Sequence, residues 1–198
     1  MKLEQIVYLA AARIGKDEND EYLAMIEELI HPQRLLLLKQ TIDRHGFLPW
    51  MMQTIEFKLN EITDPVDNTL CKMTDIIPRT MRQNDGTVGD VFTKSRRSIL
   101  QISETEDDEF SSLNPPIFRV FLRNEKLIFR GDDNIDSILI RAVWADPRID
   151  PSVTLGGLSD YPIHEDLIDT LISMTLNALN PHADIPRDMA EIQRDTGN

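Results

Sequence analysis

The sequence predicts an α+β protein: a helical bundle built from its N- and C-terminal helices, an antiparallel β domain inserted between them, and an extended C-terminal arm. Three observations carry this reading. Apolar residues recur at three- and four-residue spacing near the N-terminus and again late in the chain, around YPIHEDLIDTLISMTLNAL. Between these stretches the apolar period changes to two, the period of a half-buried strand. Runs of helices flanking a run of strands indicate segregated layers rather than alternating βαβ units. The boundaries that follow are 1–47 with 161–180 for the bundle, 48–150 for the β domain and 181–198 for the arm.

Leu3, Ile6, Val7, Ala10, Ala11 and Ile14 mark a first amphipathic helix, which Gly15 ends. KDENDE then makes a polar turn whose acids complement the dipole of a second helix. That helix carries Tyr22, Met25, Ile26, Leu29 and Ile30. Pro32 either starts a new helix or kinks a single long one, and Gln33–Arg44 continues helically to a stop at Gly46. In QTIEFKLNEI, Ile55, Phe57 and Leu59 alternate with polar residues, so one strand is expected there. TLCKMTDIIPRTMR reads as one or two short strands, with Pro78 confining the second to an edge or bulge. NDGTVGD reads as a loop, SILQIS as a strand and ETEDDE as a solvated acidic loop. FRVFLRNEKLIFRG is a hairpin turning at Asn124-Glu125. IDSILIRAVWADP is a further strand, closed by Asp146-Pro147, and residues 148–160 form a loop. The last helix is expected from about Pro162 to Leu179.

The chain has 198 residues, 34 acidic and 21 basic, for a formal charge of −13. Such a balance disfavours gripping DNA or an anionic membrane, both of which need clustered Lys and Arg. Cys71 is alone, which rules out an internal disulfide and fits a reducing compartment. No apolar run is long enough to span a bilayer. The N-terminus reads as a helix rather than a signal peptide.

Little in the sequence points to catalysis. GTVGD and GGLSD lack the Lys and helix of a phosphate loop. His31, His45, His164 and His182 never pair at helical ligand spacing. His164, Glu165 and Asp166 are consecutive, so on a helix they point about 100° apart and cannot converge on one ion. They fit a helix start instead. Trp50 and Trp144 read as core or interface anchors. Arg96-Arg97 and Arg79 with Arg82 are basic clusters suited to acidic neighbours in other copies. No catalytic, cofactor or metal residue is expected. The tail NPHADIPRDMAEIQRDTGN carries Ile185, Met189 and Ile192, too few apolar groups to bury alone. With Leu171, Met174 and Leu179 of the final helix, these are the expected contacts with neighbouring chains.

Taken in order, GKDENDEYLAMIEELI, RLLLLK, QTIEFKLNEI, TLCKMTDIIPRTMR, FLRNEKLIF, YPIHEDLIDTLISMTLNAL and ADIPRDMAEIQRD cover most of the chain. In that order they resemble virion structural proteins of tailed phages. The likeness is to the neck, ring or adaptor proteins of the head-to-tail connector in crAss-like and related short-tailed phages. The resemblance implies an adaptor-like fold and a closed self-assembled ring, twelvefold like the portal it docks on, around a channel through which double-stranded DNA passes without specific binding. It implies as partners the portal protein, adjacent neck rings or tail proteins, a place in the virion, assembly in the host cytoplasm, no membrane and no catalysis. Two alternatives stay open: a tail or baseplate component, and a soluble enzyme or ligand-binding domain with a site built from non-local residues. Copy number in the particle separates the first. A deep pocket with perturbed titratable groups separates the second.

Overall fold

The structure, a computed structural model, describes residues 1–64, 68–81, 88–111, 118–131 and 134–179. The arm 181–198 lies outside the described residues, as does Arg82.

Three long helices form the bundle. Helix α1, Leu3–Arg13, buries Leu3, Ile6, Val7, Ala10 and Ala11 along one face. Helix α2 runs Asp20–His45 and spans about 39 Å. Its start is fixed by Asn19, whose side-chain oxygen accepts from the backbone N–H groups of Glu21 (3.0 Å) and Tyr22 (3.2 Å). Pro32 sits inside this single helix, so of the two sequence alternatives no second helix begins there. Its missing N–H removes one ladder bond on a solvent-facing turn. The third long helix begins later than Pro162. A 3-10 turn, Glu165–Leu167, leads into an α-helix over Ile168–Leu179. His164 is the N-cap, its Nδ1 accepting from the Asp166 N–H at 3.4 Å. The His-Glu-Asp trio is therefore a helix start.

The core of the bundle joins Ile26, Ile30 and Leu37 of α2 to the buried face of α1 and to Ile168, Leu171 and Ile172. Val153 and Tyr161 close it from the connecting loop. Burying each such side chain contributes roughly 1.5–3 kcal/mol before conformational entropy is subtracted.

The strands form two sheets. Strand β1, Gln53–Lys58, lies beside β8, Ser137–Ala142, which in turn pairs with β4, Asp90–Thr93. The second sheet has the order β2 (Asn60–Thr63), β3 (Leu70–Met73), β7 (Lys126–Arg130), β6 (Arg119–Arg123), β5 (Leu100–Gln101). The single strand expected across QTIEFKLNEI is thus two strands in different sheets. Leu59 is the break: its N–H donates to the Asp136 carbonyl at 2.9 Å and its side chain enters the core. Strand β4 was not expected, because its four residues follow a turn-rich stretch. The sheets are also not wholly antiparallel, since β5 pairs with β6 in parallel.

The hairpin is as expected. Arg123 pairs with Lys126 across Asn124 and Glu125, both at positive φ (49° and 62°), a two-residue turn whose twist suits the strands. Side chains alternate across it. Val120, Leu127 and Phe129 join Val91, Ile138, Ile140 and Trp144 in a core shared by both sheets. Phe121 and Ile128 pack on the other face with Cys71. A bridge from Thr80 to Trp144 extends the β8 side, and Pro78 lies outside the named strands.

ETEDDE is not a loop. It forms a 3-10 turn, Glu104–Glu106, and a short helix α3, Asp107–Ser111, which makes Ile168–Leu179 helix α4 in chain order. Asp107 is buried there because Arg119 donates to it at 2.5 Å.

Candidate assembly surface

Contacts near their ends tie the three long helices together. The Met1 ammonium meets Asp160 at 3.1 Å and the Tyr161 N–H donates to the Met1 carbonyl at 2.9 Å. At the other end of α1, Arg13 pairs with Asp169. Arg34, in the middle of α2, donates to the Pro162 carbonyl at 2.9 Å. The last turn of α1 therefore lies against the first turn of α4. Leu179, the last residue of α4, is partly buried against the bundle cluster, as is Leu23 of α2.

Of the six residues expected to touch neighbours, Leu171 has no exposed surface. It faces the interior between α1, α2 and α4, so it serves the monomer and is removed from the contact set. Met174 and Leu179 are partly buried at the edge of the same cluster and keep surface for a partner. Ile185, Met189 and Ile192 lie outside the described residues. Replacing Leu171 by Ala is expected to lower monomer stability by about 2–5 kcal/mol through the cavity it leaves. Met174→Ala should cost distinctly less. Urea denaturation of the dilute chain checks both, and equal losses would place Leu171 outside the core.

A junction of buried polar groups fastens the bundle to the sheets. Arg34 is fully buried. It also donates to the Trp144 carbonyl at 3.1 Å and lies over the Tyr161 ring at 5.7 Å. Trp144, fully buried, donates from its indole to the Gln53 carbonyl at 3.1 Å. His31 Nδ1 meets the Tyr161 hydroxyl at 3.0 Å. Nearby Arg148 bridges Asp146 (2.9 Å) and Glu28 (3.0 Å), tying the loop after β8 to α2. Burial pushes the Tyr161 hydroxyl up and holds the Arg34 guanidinium below its ordinary range. The hydrogen-bonded Asp146 carboxylate raises Arg148. Arg34 and Tyr161 sit among core residues, Arg34 satisfying two backbone carbonyls, while Arg148 pairs with carboxylates at the edge of the junction.

His31 shows how this junction responds to acid. Burial, and then the charge of Arg148, lower its pKa from 6.5 to about 4. The unfolded chain binds a proton below pH 6.5 that the folded chain refuses until about pH 4. Stability is full above pH 6.5 and falls as pH drops through that window, by up to roughly 3 kcal/mol. His31→Gln should flatten this part of the profile. Thermal midpoints between pH 4 and pH 7 check it, and an unchanged slope in the variant would assign the acid loss to carboxylates.

A second buried network ties the hairpin to its surroundings. Asp64, fully buried, accepts from Arg123 (2.7 Å) and Arg130 (2.9 Å). Arg123 reaches on to Glu104 at 2.7 Å, and Arg130 lies 3.3 Å from Asp107. Burial alone would lower Arg123, but Asp64 and Glu104 outweigh it and raise it.

Exposed apolar side chains lie at several places among the described residues, including Tyr8 and Leu9 of α1, Leu70 of β3 and Ile76. Leu158 is 85% exposed and Leu155 44%, on a loop closed by Ser159 N–H to the Ser152 carbonyl (3.0 Å). On α2, Met25 and Leu36 are 45% and 52% exposed. A shallow hollow of about 350 Å³ lies between Trp50, Met52, Val153, Tyr161 and Ile163. Trp50 also packs against His164, the ring centroids 5.7 Å apart and the rings tilted at 55°. Among the described residues no group of three His, Cys, Asp or Glu side chains is placed to hold a metal ion. No described helix is long and apolar enough to cross a membrane. The outer stripe of α2 was legible as Met25 and Leu29 at helical spacing, but the sequence could not say which of its apolar faces is inside.

A family model described as phage tail ring protein 2 matches residues 5–195, nearly the whole chain. No curated protein matches it.

Proposed function

We propose, from the premise that the chain belongs to the phage tail ring protein 2 family, that its ring stands in the head-to-tail connector and bridges the portal to the tail. A ring protein of the phage tail is a structural component of the virion and associates with its own copies. The finer reading is a twelvefold neck ring that contacts the portal or an adjacent ring and lines the DNA channel. The family match over residues 5–195 is the observation that carries it.

Physical arguments support the details. A contact between two different surfaces, repeated around an axis, closes into a ring when its rotation divides the circle. A chain with formal charge −13 offers duplex DNA few counterions to release, so DNA slides past rather than condensing on the wall. The 181–198 arm contacts a neighbouring chain, and Met174 and Leu179 lie where it leaves the bundle. The protein performs no catalytic step, and the ring assembles in the host cytoplasm.

Quantitative mass spectrometry of purified particles tests this reading by counting the chain against the portal protein. Equal numbers are expected. A severalfold lower count would move the protein to a tail-tip or baseplate position. Absence from the particle would overturn a virion role and favour a soluble enzyme or ligand-binding protein.

A further inference from the structure

Helix α2 is apolar on two faces. At about 100° per residue, Ile26, Ile30 and Leu37 point to one side, toward α1 and α4. Met25, Leu29, Pro32 and Leu36 lie at spacings of four, three and four, within about 60° of one another and centred about 110° round the helix from that side. Met25, Pro32 and Leu36 are exposed and Leu29 is half-buried. None of these four packs into the core clusters of the described residues. Exposed apolar residues scattered singly are ordinary, but four in register along about 16 Å of helix form a seam for another helix.

We infer that this outer stripe of α2 is the dock for the 181–198 arm of a neighbouring copy, an inference that rests on the ring reading above. The arm has the matching pattern. Ile185, Met189 and Ile192 are spaced four and three, the same spacing as the stripe. The family match extends through residue 195, so the arm belongs to the shared sequence. Its point of departure favours a neighbour over its own chain. Leu179 sits on the inner side of α2, and residues 180–184 reach at most about 17 Å. To reach its own stripe the arm would have to turn around a helix about 10 Å across. The stripe and the arm are different surfaces, so the contact is heterologous and propagates from copy to copy.

The test uses the full-length chain with Leu36→benzoylphenylalanine, a photoreactive side chain, as an equal mixture of isotopically heavy and light protein. After irradiation, cross-linked peptides and assembly mass are read from the same sample. Cross-links from position 36 to residues 185–192 joining heavy to light chains, in the proportion random mixing gives, are the expected result. Cross-links confined to chains of one isotope would overturn docking on a neighbour. Oligomers with cross-links elsewhere would overturn the arm as occupant while leaving the ring intact. A chain that stays monomeric with no arm cross-link also overturns the docking, and the particle count above then decides the ring separately. In parallel, Met25→Asp with Leu36→Asp should leave the circular dichroism unchanged and abolish oligomers. Oligomers persisting in that variant would overturn the proposal.

Discussion

Asp64→Ala is expected to destabilise the chain by about 3–5 kcal/mol and to lower its thermal midpoint by roughly 10 °C. Asp64 is fully buried and holds two guanidinium groups at once, Arg123 at 2.7 Å and Arg130 at 2.9 Å. Forming such a buried network from solvated ions brings little net stability, because desolvation offsets most of the attraction. Removing its carboxylate is a different matter. It leaves two positive charges facing each other in a site with little access to water. The exposed end of the same network provides the control. Glu104 pairs with Arg123 at 2.7 Å but is about half exposed, so Glu104→Ala should cost no more than about 1 kcal/mol. Urea titrations followed by tryptophan fluorescence measure both. Similar small losses for the two variants would mean that water screens the Asp64 site and that the network is a surface feature.

The sequence carried the helices and the hairpin because their signals are local. Periodicity sets α1 and α4, and Asn124-Glu125 between alternating runs sets the β6–β7 turn. It carried less of the sheets. The break at Leu59 depends on a bond to Asp136, which lies far along the chain, and four-residue β4 has no pattern of its own. ETEDDE looked solvated because its acids are consecutive, yet Asp107 is drawn inside by Arg119 and Arg130 on the hairpin. Burial of a charge follows from its partner, which sequence spacing cannot supply.

The assembly surface was legible in part for the same reason. Leu171 and Met174 are both apolar residues of α4, three apart, and nothing in the sequence ranks one as core and the other as edge. The position of α1 decides it. Helix α2 poses the problem in a stronger form. Its apolar residues fall on two faces, and only the packing of α1 and α4 against one identifies the other as available. Apolar residues that a helix carries off its core-facing side are left to solvent or to a partner. Here one side is covered within the monomer and the other is not.

Arg34→Ala is the second large effect, expected at about 3–5 kcal/mol. Arg34 joins three segments far apart in sequence: its own helix, the Pro162 carbonyl ahead of α4 and the Trp144 carbonyl at the end of β8. Truncation leaves a cavity and two buried carbonyls without these donors, each loss on the order of 1–3 kcal/mol. Two further variants separate the causes. Arg34→Met refills most of the volume and removes the buried charge but still orphans both carbonyls, so it should recover only part of the loss. Arg34→Lys keeps the charge but cannot fork to two acceptors, and it should also fall short of wild type. If Arg34→Met proved as stable as wild type, the two hydrogen bonds would contribute nothing net, and the arginine would be retained for some reason other than stability. That reason would be geometric. The Pro162 carbonyl fixes where α4 begins, and α4 fixes the direction in which the chain leaves at Leu179. Every copy in a closed ring must repeat the same rotation. A folded Arg34→Met chain that incorporates poorly into particles would then show that this buried residue sets the angle of assembly rather than the strength of the fold.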